Sequence, residues 1–113
     1  MKVKGNFWVE KDNKSFLGKG RIELLKKIDK YGSISKAAKE MKMSYKAAWD
    51  AVDIINNLSN KKVVEKVSGG KGGGGTKLTE YGKNLIKVYE NAKKLHDAKL
   101  LEIEEYIKNA LIC

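Results

Sequence analysis

The side chains with the most chemical reach gather between residues 33 and 49, with one lysine set apart among glycines at 68–75. Ser44, Tyr45, Lys46 and Trp49 fall within one SYKAAWD segment. On a helix opening at Ser44 these residues lie in the first turns, while Ala48, Val52 and Ile55 share the opposite face. Such a helix presents polar groups from its N-terminal end and buries the rest. That arrangement suits the DNA major groove, where base edges are read by donors and acceptors. Backbone N–H groups at a helix start can also bind a phosphate. Ser33, Ser35 and Lys36, at the start of the preceding short helix, and Lys71 in the glycine run complete the expected DNA-contacting set. Trp49 admits two readings, a contact to DNA or a packed aromatic at the helix edge, and packing is the commoner fate of a Trp. Asp50 and Asp53 lie near the same surface, where each is expected to pair with a lysine.

Other chemistries find less support. The run SGGKGGGG resembles a nucleotide-phosphate loop only superficially, because such loops place Lys directly before Ser or Thr at a helix start. Here Lys71 precedes the last glycines, so the segment reads either as a basic wing reaching a phosphate or minor groove, or as a hairpin tip without contacts. His96 and Cys113 are single and far apart, with no Cys-x-x-Cys or His-x-x-x-His spacing, so no metal site is expected. Glu102, Glu104 and Glu105 read as a solvated acidic face. No set of nucleophile, base and orienting group can be assembled, so neither catalysis nor a cofactor is expected.

The elements that would position these residues follow from spacing. Residues 3–9 and 15–17 are apolar stretches flanking turn-forming residues 11–14, which predicts an N-terminal β-hairpin. Ile22, Leu25 and Ile28 recur at helical spacing up to a stop at Gly32. Ser33 and Ser35 offer hydroxyl caps for a short helix over 36–41, and a third helix runs from Ser44 to about residue 59. Ala37 and Ala38 are small enough for two helices to cross, and Met43 can plug the turn between them. A strand at 62–67, the glycine run, and a short returning strand at 76–78 form a wing. Thr79 and Glu80 then open a long final helix.

Composition is that of a folded domain, with 42% hydrophobic and 34% charged residues among 113. The excess of 24 basic over 14 acidic residues lies entirely before residue 79. A basic surface so segregated points to a polyanion partner rather than to a uniformly lysine-rich surface. No apolar run reaches the ~20 residues of a membrane span, and no apolar stretch follows the N-terminal lysines as in a signal peptide. A single cysteine makes no internal disulfide. The expected location is the cytoplasm.

Residues 33–40 (SISKAAKE), 44–50 (SYKAAWD), 68–75 (SGGKGGGG) and 78–82 (LTEYG) together resemble the N-terminal DNA-binding domain of molybdate-responsive ModE-type regulators, itself similar to the LysR-type winged helix. The resemblance spans about residues 20–95. It implies double-stranded DNA as partner, dimerisation, and regulation of molybdenum-related genes. Regulators of that type bind molybdate in further C-terminal domains, so no oxyanion effector is expected to bind within these residues.

The fold expected is therefore mainly α with a small β wing: a winged helix-turn-helix over 1–78 with an N-terminal hairpin, and a long dimerisation helix over 79–113. Leu85, Tyr89, Ala92, His96, Leu100, Ile103 and Ile107 form one stripe on that helix and are the expected homodimer interface. A helix of ~49 Å is too long for a core of this size to cover. Two rivals share the elements: a protein-interaction module using the long helix, and a stand-alone LysR-like DNA-binding protein.

Overall fold

The computed structural model describes residues 1–70 and 73–112. Its elements in chain order are β1 (Val9–Lys11), β2 (Lys14–Leu17), α1 (Lys19–Tyr31), α2 (Ile34–Glu40), α3 (Tyr45–Leu58), β3 (Val64–Gly70), β4 (Gly73–Leu78) and α4 (Glu80–Leu111). This is a winged helix-turn-helix, mainly helical, with a two-stranded wing.

The helix boundaries are set by the side chains expected to set them. Ser33 Oγ accepts from Lys36 N at 3.1 Å, Ser44 Oγ from Ala47 N at 3.0 Å, and Thr79 Oγ1 from Gly82 N at 3.0 Å. Each satisfies a donor that a helix start would otherwise leave without a partner. Gly32 ends α1 at φ 64°, a conformation that glycine adopts without strain. Ile22, Leu24, Leu25 and Ile28 of α1 and Ala48, Val52, Ile55 and Leu58 of α3 belong to one buried core. Ala37 and Ala38 are fully enclosed where α2 meets its neighbours. The turn from α2 to α3 passes through Lys42 at φ 56°, and Met43 N donates to Ala38 O while its side chain packs on the core.

The N-terminal hairpin is shorter than expected. Asp12 and Asn13, at φ 54° and 62°, make the tight turn, and of residues 3–9 only Val9 joins the ladder. The rest lies along α4. Val3 N donates to Glu104 Oε1 at 2.9 Å, Gly5 sits against His96 and Leu100, and the Phe7 ring stacks, tilted, on Tyr89 and His96 with centroids 5.5 and 5.3 Å apart. With only four residues in β2, a seven-residue strand had no partner, and the apolar stripe of α4 took its place.

The wing differs in the opposite sense. Its strands pair from Val64↔Leu78 out to Gly70↔Gly73, well into the glycine run that was read as a turn. A ladder is made by backbone groups, so missing side chains do not forbid it. The base of the wing is fixed at both ends. Asn56 Oδ1 accepts from Val63 N and Val64 N, and its Nδ2 donates to Val64 O, which ties α3 to β3. Thr79 N donates to Val63 O at 2.9 Å, and Thr79 Oγ1 donates to Lys62 O, tying α4 to the same point. Gly82 is required there: a Cβ would stand 2.4 Å from Val63 O.

The 32 residues of α4 span ~48 Å in a molecule 70 Å long. No helix among the described residues is long and apolar enough to cross a membrane.

Candidate nucleic-acid interface

The first turn of α3 stands clear of the core. Tyr45 is 53% exposed and Lys46 is exposed, whereas Ala48, one turn on, is buried. Lys46 Nζ lies 3.0 Å from Asp50 Oδ2, so the expected lysine–aspartate pairing holds at Asp50. Both partners are solvent-exposed, and such a pair is weak enough for a phosphate or base to replace it.

Trp49 is half-buried and packs against the core, as its reading as a packed aromatic expects. Its Nε1 donates to the Tyr45 hydroxyl at 2.7 Å, and its ring carries the ammonium of Lys66, 5.6 Å from the ring centre. The aromatic thus joins the start of α3 to the wing. Between them lies an open groove of about 310 Å³, walled by Ser33 and Ser35 from the start of α2, Tyr45 and Trp49 from α3, and Lys66 and Thr76 from the wing. Four of the expected contact residues, Ser33, Ser35, Tyr45 and Trp49, therefore meet at this groove, and Ser44 and Lys46 flank Tyr45 in sequence. Lys36 is exposed on α2, and Lys71 lies outside the described residues.

Lys66 and Thr76 were read as parts of the wing strands but not as contact residues. They are directly paired across the wing, and strand alternation puts Lys66 on the same face as Val64, which packs against the core. That alternation was the available signal. Other lysines are held elsewhere. Lys77 pairs with Glu65, and Lys93 pairs with Asp97. Lys26 pairs with Glu90, whose hydrogen bond, against some desolvation, raises its pKa above the ordinary lysine value. Hydrogen bonding from Lys93 holds the Asp97 carboxyl below its usual range, with burial working weakly against it.

The expected dimer stripe is partly covered by the chain itself. Tyr89 is buried, Leu85 packs on the core, and His96 and Leu100 lie beneath the N-terminal segment. Ala92 and Ile107 are half-buried, and Ile103 stays 37% exposed. Of the apolar side chains that α4 shows to solvent, Val88, Leu95 and Tyr106 lie on one flank, while Leu101 and Leu111 face other ways. Among the described residues no group of three or more His, Cys, Asp or Glu could hold a metal ion.

No family model matches the chain. Its sequence is 45% identical over 85 residues, 75% of this chain, to the molybdenum transport protein ModE of Azotobacter vinelandii. It is 52% identical over 77 residues, 68% of this chain, to the DNA-binding transcriptional dual regulator ModE of Escherichia coli. Over that stretch the chain is similar to ModE-type regulators. A further relative, 49% identical over 85 residues, is the molybdenum-pterin-binding protein MopB of Rhodobacter capsulatus. The match covers only 32%, 29% and 31% of those proteins, so this chain spans about a third of the ModE-type relatives' length. None of these three is described as an enzyme.

Proposed function

We propose that the chain is a sequence-specific double-stranded DNA-binding regulator that works as a homodimer. The observation that carries the reading is the exposed start of α3, with Ser44, Tyr45 and Lys46 directed away from a core that holds Ala48, Val52 and Ile55. Residues 1–78, which include α3, carry the whole basic excess. In a winged helix this end of α3 enters the major groove, and the wing lies beside it. The names of the ModE relatives support regulation of transcription, and that of the Azotobacter protein supports genes of molybdenum transport as targets. A chromosome-wide map of bound sites tests that assignment, and sites unrelated to molybdenum uptake would overturn it. Mobility-shift titration of duplex DNA over a salt series tests the binding itself. Affinity is expected to fall by orders of magnitude between ~50 and ~200 mM salt, and a flat response would refute it.

Dimerisation rests on α4. Val88, Leu95, Ile103 and Tyr106 lie along one flank of this helix, and Leu95 and Tyr106 are 76% and 73% exposed. Exposed apolar side chains aligned on one flank mark an interaction surface, and a two-fold pairing there would present two copies of α3 to successive major grooves ~34–36 Å apart. The second reading, a module that binds another protein, uses the same strip. Sedimentation at micromolar concentration separates them, because a monomer favours the second.

A further inference from the structure

We infer that the groove between α3 and the wing seats one phosphodiester strand of duplex DNA, with Lys66 as the phosphate-binding cation and Trp49 as the residue that positions it. This inference rests on the DNA-binding reading and adds the path of the strand. If the start of α3 lies in a major groove and the wing in the adjacent minor groove, the backbone that divides the two grooves must cross between those elements. The space there is the open groove of about 310 Å³.

Its chemistry fits an anion. Lys66 stands on its wall with no carboxylate partner among the described residues, while Lys77, on the opposite face of the same wing, is paired with Glu65. The Trp49 ring holds the Lys66 ammonium by its face, which fixes the charge without neutralising it. The indole is in turn held by the Tyr45 hydroxyl, whose own O–H remains to donate outward. Directly across the ladder from Lys66, the buried Thr76 hydroxyl has no hydrogen-bond partner. A buried polar atom without a partner is unfavourable, and an acceptor oxygen arriving in the groove would relieve it. Ser35 is exposed on the facing wall.

A phosphate contact carries no sequence information, so the test needs no operator. The probe is a duplex of scrambled sequence, titrated by fluorescence anisotropy over a series of potassium chloride concentrations. The proteins are wild type, Lys66→Ala, Lys66→Arg, Trp49→Leu, the double variant Trp49→Leu with Lys66→Ala, and Lys94→Ala as a distant exposed lysine. Losing one phosphate contact reduces the slope of log affinity against log salt by ~0.9. That reduction is expected for Lys66→Ala, with the slope retained in Lys66→Arg and Lys94→Ala. Trp49→Leu is expected to bind several-fold more weakly, and removing Lys66 in that background to cost less than in wild type. An unchanged slope in Lys66→Ala, or an equal reduction in Lys94→Ala, overturns the seat while leaving DNA binding in place. Additive losses at Trp49 and Lys66 overturn the positioning role. A wild type that binds no duplex overturns both readings together.

Discussion

Two glycines inside helices offer a test of how the long helix is anchored, because the same substitution is expected to act with opposite sign. Gly82, in the first turn of α4, is buried, and a Cβ built on it would meet Val63 O at 2.4 Å and Val63 Cγ1 at 3.1 Å. The closer atom is backbone, already bound by Thr79 N, so it cannot swing aside as a flexible side chain would. Gly82→Ala must therefore push α4 away from the wing base. Overpacking of this kind costs ~1–3 kcal/mol. At roughly 4–8 °C per kcal/mol for a small domain, the melting temperature should fall by about 10 °C. Gly20, in the first turn of α1, has nothing within 4 Å of an added Cβ and no positive φ. There Gly20→Ala removes only unfolded-state freedom and improves helix propensity, stabilising by up to ~1 kcal/mol. Thermal unfolding of both variants by circular dichroism is the measurement. If Gly82→Ala melts at or above wild type, the close approach of α4 to Val63 is not what fixes the helix, and the anchoring argument fails.

Further outcomes are expected. Asn56→Ala leaves the N–H groups of the buried Val63 and Val64 without their acceptor, and should destabilise by roughly 1–3 kcal/mol in denaturant titration; a loss within error would mean water replaces the amide. Lys46→Ala should narrow the affinity gap between a selected operator and a scrambled duplex in competition assays, and an unchanged ratio would place recognition elsewhere on α3. Leu95→Asp combined with Tyr106→Asp should yield monomers in analytical ultracentrifugation without lowering the melting temperature of the winged-helix core, since both side chains are exposed within one chain. A variant that remains dimeric would move the interface to another surface.

What was legible in the sequence is what depends on near neighbours. Ser33, Ser44 and Thr79 cap helices that begin within three residues of them, and the alanines that let α2 pack closely stand side by side. The N-terminal segment was read as a strand because residues 3–9 are rich in β-branched and aromatic side chains, and such a composition records a need for burial without saying against what. The answer lies in a contact between residues 101 positions apart. For the same reason the stripe on α4 was assigned wholly to a partner subunit, although Tyr89, His96 and Leu100 are covered by the same chain. Lys66 escaped notice because a lysine on a wing reads as solvated. Only the placement of Trp49, on α3, against the wing turns it into a fixed charge.

The anchoring of α4 bears directly on how a dimer would read DNA. The spacing of two recognition helices is set by the angle between α3 and the helix that carries the two-fold contact. In this chain those helices are joined through one short stretch of backbone. Asn56 of α3 grips the N–H groups of Val63 and Val64, and Thr79 at the start of α4 is bonded to Lys62 and Val63. Gly82 lets α4 press onto the same residue. Two helices bonded to one buried valine cannot rotate independently without breaking those hydrogen bonds. The wing grows from that point as well, and Thr76 N is bonded to Gly32 O at 3.0 Å, which ties β4 to the end of α1. Pairing along α4 would therefore be transmitted to α3 and the wing as a fixed geometry, so that Val63, far from any base, helps set the spacing between half-sites.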